Sequence, residues 1–243
     1  MRRRIRRASV AASILIVVAV LFVSQVARAD PPDSEFNPVN GYIESVDIVA
    51  ESNDRVRHVE DPGRGEPETT TLVSTSAAAN PRIAIDPDGD SWVVWWQDAA
   101  TDAVYFSVRD LDTGTWSQEE QVSETGVDSQ NPEIVYDGSA AYVAFEADDA
   151  GDTSVVVAII VDDPEPITVH STITTTTYTG DVDVKVHAKS GYIWATWVDS
   201  STEVGWSEYD SQLEQWDQPQ YESYQYSTVS AARDEIRDTV LGP

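Results

Sequence analysis

The sequence predicts an all-β fold, a small or partial β-propeller of about three complete four-stranded blades. First, residues 70–225 repeat at a spacing of 50 or 51 residues. Second, each repeat alternates apolar and polar residues in short runs bounded by Gly, Pro, Asp and Asn turns, which is the strand and hairpin pattern. Third, no stretch in this region carries a helical period. A four-strand unit of this size leaves both faces of its sheet bare, so it needs copies of itself stacked around an axis to bury them. A β-sandwich also has many short strands, but it seldom shows such an internal period.

In chain order, residues 1–29 stand apart. Met1 to Arg7 holds five arginines, Ala8 to Val26 is almost wholly apolar, and Ala27-Arg28-Ala29 forms a small-x-small cleavage site before Asp30. These are the parts of a secretory signal peptide, which predicts a secreted, periplasmic or cell-surface protein. Left uncleaved, the run is nearly the ~20 residues that span a bilayer, and it would anchor the chain in a membrane. Residues 30–69 read as an acidic flexible lead. DPPDSEFNPVN offers little to bury, Tyr42 to Ala50 alternates well enough for one strand, and 51–69 is charged and rich in Gly and Pro.

Residues 70–225 form the repeat domain. NPRIAIDPDGDSWVVWWQD from Asn80, NPEIVYDGSAAYVAFEAD from Asn131 and DVDVKVHAKSGYIWATWVD from Asp181 align, with Ile83, Ile134 and Val184 in register. Each supplies two strands. Third strands are expected at Ala103–Asp110, Thr153–Asp162 and Glu203–Asp210, and fourth strands at Trp116–Ser123, Ile167–Ser171 and Trp216–Ser223. Three blades are fewer than the usual minimum of ~4, so closure needs another source. Thr70–Ser74 matches the fourth-strand pattern, and residues 226–243 are a C-terminal tail or a closing strand through 231–238. Together the termini would build a composite fourth blade. A homodimer is the other way to hide open blade faces.

Charge narrows the partners. Six of the fifteen basic residues fall in the first 29 positions, which leaves nine against 43 acids in the exported chain. Such a surface repels nucleic acid and anionic lipid. It favours cations and basic partners and also suits high salt. With no cysteine in the sequence, disulfides, thiolate metal sites and cysteine nucleophiles are excluded.

Two turns between third and fourth strands look related, DLDTGTW at 110–116 and DSQLEQW at 210–216; each sets an Asp six residues before a Trp. The first resembles the Asp-box hairpin, or BNR repeat, of sialidase-like β-propellers, with Asp112, Gly114 and Trp116 roughly in place. Asp110 replaces the leading Ser, and the spacing from Gly to Trp is one residue short. The second copy keeps only the acid and the Trp, and DDPEPIT in the middle repeat has lost the box. The resemblance implies a degenerate member of that family. It implies little about activity, because Asp boxes are structural turns.

A sialidase site would need three arginines converging on the axis, and only Arg82 lies on an expected inner strand. A glycoside hydrolase or lyase using two carboxylates remains the alternative. The first expectation is therefore a non-catalytic exported binding module for a glycan, an extracellular protein or a cation-bridged partner. A structural envelope module is a third reading. Trp95, Trp96 and Trp197 on second strands are the candidate ligand platforms, against packing between blades. Asp98, Asp148 and Asp199 recur at the ends of second strands. They are either turn caps or an acidic rim that takes a hard cation such as calcium.

Overall fold

The structure, a computed structural model, describes residues 33–50, 54–63, 68–97, 99–149, 151–161, 167–176, 185–189, 192–200, 203–210 and 213–223. They form four antiparallel sheets in strict chain order. The first holds β1 (Asp33–Phe36), β2 (Ile43–Val49), β3 (Arg55–Asp61) and β4 (Thr69–Leu72). The second holds β5 (Ala79–Ile85), β6 (Ser91–Gln97), β7 (Ala103–Arg109) and β8 (Glu120–Gln121). The third holds β9 (Asp128–Tyr136), β10 (Ala141–Asp149), β11 (Asp152–Val161) and β12 (Ile167–Thr176). The fourth holds β13 (Lys185–Lys189), β14 (Tyr192–Ser200), β15 (Glu203–Asp210) and β16 (Gln215–Trp216), and β17 (Gln220–Ser223) also pairs with β15.

The leading strands of the sheets lie against one another in sequence, β1 on β5, β5 on β9 and β9 on β13. This is the arrangement of consecutive propeller blades, and it is open. Among the described residues, the fourth sheet has no comparable contact with the first.

Alternation along each strand sorts side chains to the two faces of its sheet. Odd positions of β6 and β10 face the preceding sheet and even positions face the next. Val93 and Trp95 thus join Val46, Val56 and Ile83 between the first and second sheets. Trp92, Val94 and Phe106 meet Val143, Phe145, Ala158 and Ile160 between the second and third. Tyr142, Ala144, Val155 and Val157 meet Ile193, Ala195 and Trp197 between the third and fourth. Burial on both faces is why β6, β10 and β11 read as nearly continuous apolar runs.

Two expectations need correction. Residues 30–69 are not a flexible lead with one strand, because β1, β2 and β3 lie within them and β4 begins there. The first sheet also draws all four strands from Asp33–Leu72, so it needs no strand from the C-terminus. Residues 1–29 and the proposed closing segment 231–238 lie outside the described residues.

The contact between the first two sheets is polar at one end. Glu44, wholly buried, accepts from Asn37 Nδ2 at 2.6 Å and from His58 Nε2 at 2.9 Å, and it also accepts from the Ser91 hydroxyl. The Asn37 amide reaches the carbonyl of Gly89 as well, at 2.8 Å. Burial raises the Glu44 carboxyl, but the hydrogen bonds from His58, Ser91 and Asn37 outweigh it and hold the group down at about 2. Beside them Arg109 donates to Glu60 at 3.0 Å.

The leading edge of β5 is closed in an unusual way. The amides of Ile83 and Ile85 donate to the side chains of Asp33 (2.9 Å) and Glu35 (3.1 Å) on β1.

Candidate functional site

The second and third sheets leave a cavity of about 170 Å³ between them, lined by Glu124, Val127, Ser129, Phe145, Ala147, Asp149, Ser154 and Val156. Its walls follow from strand register. Phe145, Ala147 and Asp149 share one face of β10, and Ala147 is paired with Ser129 on β9 and Ser154 on β11, while Phe145 is paired with Val156. Glu124 and Val127 come from the loop between β8 and β9, whose turn runs through Gly126 at a φ of 89°. Two bonds fix that loop: the Asp102 amide donates to Asp128 Oδ1 at 2.9 Å, and the Ser129 amide donates to the Asp102 carbonyl at 2.9 Å.

Trp95 of β6 and Trp197 of β14 face the preceding sheet and are 0% and 1% exposed. In β10 Phe145 and Ala147 face the preceding sheet, and both line the space. A cavity of ~150 Å³ holds one benzene-sized ring, so this one is the size of a single six-membered ring. Phe145 and Val156 give it an apolar floor. Ser129, Ser154, Glu124 and Asp149 give it hydroxyl and carboxylate sides.

The residues singled out from sequence have other positions. Trp95 and Trp197 sit in the cores between sheets, so neither has a face left for a ligand; packing between blades accounts for both. Gly205 permits this burial for Trp197, because a Cβ there would lie 2.3 Å from the indole. Trp96 is half-buried against the core between the second and third sheets. Asp148 caps its own hairpin by accepting the Gly151 amide at 2.8 Å. Asp98 lies outside the described residues, as does the side chain of Asp199 on β14. Among the described residues no three His, Asp or Glu side chains are placed to hold a metal ion. Asp149, the residue after Asp148, does line the cavity. Glu124, Ser129, Phe145 and Ser154 were missed.

A second polar group lies where the leading strands meet, and it is satisfied within the fold. Arg82 donates to Glu133 at 3.0 Å, Asn80 to Asn131 at 2.6 Å and Asn131 to Glu146 at 3.1 Å. Arg57 pairs with Asp47, and Arg55 donates to the Ser74 carbonyl. With Arg109 on Glu60, every arginine in the described sheets binds a partner within the fold, and no three converge on a ligand site.

The two aligned turns share their geometry. Asp110 accepts the Thr113 amide at 2.7 Å and Asp210 the Leu213 amide at 3.1 Å, and positive φ follows at Gly114 (67°) and Glu214 (53°).

No protein-family model and no curated protein matches the chain. Solved structures do. An ulvan lyase, from a family of polysaccharide lyases, superposes with a TM-score of 0.52 at 12% identity, over 73% of this chain and 52% of its own. Trypanosoma rangeli sialidase, in complex with the inhibitor DANA, superposes with a TM-score of 0.50 at 9% identity, over 76% of this chain and 37% of its own. The chain thus spans about half or less of the length of these proteins, and the likeness is one of fold, that of a β-propeller.

Proposed function

We propose that this is an exported, non-catalytic propeller that binds carbohydrate through the cavity between the second and third sheets. The observation that carries this reading is the cavity's two-sided lining. A pyranose ring has an apolar face for Phe145 and Val156 and a rim of hydroxyls for Glu124, Asp149, Ser129 and Ser154, and ligand sites combine apolar walls with a few placed polar groups in this way. Export rests on the signal-like first 29 residues. The turns at 110–116 and 210–216 fit degenerate Asp boxes, and the engaged arginines favour binding over a sialidase-type reaction. The fold is also that of enzymes that cut glycans, so the rival reading is a hydrolase or lyase using Glu124 and Asp149 as its two carboxylates.

A panel of soluble mono- and oligosaccharides, titrated calorimetrically against the exported chain, tests the proposal. Binding that weakens at least tenfold in Glu124→Gln and Asp149→Asn, without turnover of the bound sugar, is the expected result. No binding across the panel overturns it. Release of new reducing or unsaturated ends by the native chain, lost in Glu124→Gln, replaces it with the enzyme reading.

A further inference from the structure

The cavity between the second and third sheets is apolar at its floor and acidic at its mouth. Phe145, Ala147 and Val156 are buried, while Glu124 and Asp149 lie exposed at the rim. Strand register adds charge there. Asp149 stands directly opposite Asp152 across the turn from β10 to β11, and Asp148 stands opposite Asp128 on β9. Like charges directly opposite in an antiparallel pair destabilise a sheet. Two such pairs at one rim are a cost that a bound cation offsets.

The fold supplies no cation of its own at this place. From 110 to 169 the sequence contains no Lys, Arg or His, and none occurs from 83 to 108. Strands β5 to β11 therefore carry two cations, Arg82 and Arg109, which donate to Glu133 and Glu60. His170 on β12 pairs with Ala158, six residues along β11 from Asp152. Both lysines lie on β13 of the fourth sheet. A metal ion does not suit the cavity either. A hard cation takes about 6–8 oxygens, and among the described residues no three His, Asp or Glu side chains are placed to hold one. The apolar floor fits a cation that carries a hydrocarbon body.

We propose that the cavity selects an amino sugar with a free amine, its ring over Phe145 and Val156 and its ammonium at the rim beside Glu124 and Asp149. The inference rests on the reading of the cavity as a carbohydrate site, and it narrows that site from sugars in general to cationic ones. An ammonium bonded to a carboxylate makes a charge-assisted hydrogen bond, about twice as strong as the neutral bond that a hydroxyl makes in its place. The same rim repels a uronic acid, the anionic counterpart.

Calorimetric titration of the exported chain with glucosamine, glucose, glucuronate and cyclohexylamine, at about pH 6 where a sugar amine is protonated, tests it. Glucosamine should bind about tenfold more tightly than glucose, and glucuronate should not bind. At ~1 M salt, where the Debye length is ~3 Å, the advantage of glucosamine should shrink to about twofold. Asp149→Asn should shrink it likewise, while the melting temperature holds or rises because the opposition to Asp152 is relieved. Glucose that binds as tightly as glucosamine overturns the inference and leaves the sugar site standing, and so does an advantage that Asp149→Asn retains in full. Cyclohexylamine that matches glucosamine overturns the sugar reading and this one together, because the site then takes any cyclic amine. No binding of any of the four also overturns both.

Discussion

Replacing Glu44 by Gln probes the polar contact between the first two sheets, and pH reads it independently. The Glu44 carboxyl falls from an ordinary 4.5 to about 2 in the fold. At 1.36 kcal/mol per unit, a shift of this size corresponds to about 3 kcal/mol of stability from the ionised form. Because the folded value is the lower one, that stability is fully present above pH 4.5 and drains away as pH falls toward 2. A domain's whole stability is ~5–15 kcal/mol, so the loss is large enough to measure. In Glu44→Gln the side chain keeps its size but carries no charge for His58, Ser91 and Asn37 to hold. Denaturant midpoints of native and variant chains, taken at intervals from pH 7 to pH 2, give the difference directly, and carboxylates common to both cancel. The variant should be less stable by about 3 kcal/mol at pH 7, and the gap should close between pH 4.5 and 2. A gap that stays constant across this range, or that is absent at pH 7, refutes the account of Glu44 as a buried, ionised anchor.

Four further outcomes follow from the geometry. Phe145→Trp should fill the cavity and make β10 resemble β6 and β14; the melting temperature holds or rises, and sugar binding at that site disappears. Gly205→Ala should displace the Trp197 indole, at a cost of about 1–3 kcal/mol for overpacking and with a red shift in tryptophan fluorescence. Asp86→Ala removes the acceptor for the Asp88 and Asp90 amides and for Trp92 Nε1, each within 3.1 Å, and should lower stability by about 2 kcal/mol in chemical denaturation. Exchange of chelator for millimolar calcium should leave the melting temperature unchanged, since Asp148 is engaged by its own turn; a rise of several degrees would restore the acidic rim as a cation site.

The second to fourth sheets were legible from sequence because stacking on both faces leaves a strong mark. β6, β10 and β11 are apolar on both sides, and third strands were placed almost to the residue, with Glu203–Asp210 in full agreement. The first sheet was not legible, for a physical reason. As an end sheet it is buried on one face only, and on that face it places Glu44, His58 and Glu60 beside Val46 and Val56. Its outward positions carry Ser45, Asp47, Arg55 and Arg57, so β3 reads as a charged loop. Trp95 and Trp197 were misjudged as ligand platforms because a Trp on a half-apolar strand looks the same whether its face meets solvent or another sheet. The cavity escaped because it depends on what is smaller, Phe145 and Ala147, and a composition scan favours what is large.

The carboxylates of Asp33 and Glu35 on the edge of β5 have a consequence for how the array ends. A strand that joins an edge must both give and take hydrogen bonds, whereas an ionised carboxylate only takes. Asp33 and Glu35 therefore occupy the Ile83 and Ile85 amides without presenting a new edge in their place, and they work as terminators of strand addition. Glu35 holds its part less firmly. Desolvation raises its carboxyl, the Ile85 bond lowers it, and the charges of Asp33 and Glu44 raise it again, for a net upward shift. Its negative charge is thus neutralised early as acidity rises, and the protection against edge-to-edge assembly begins to loosen there.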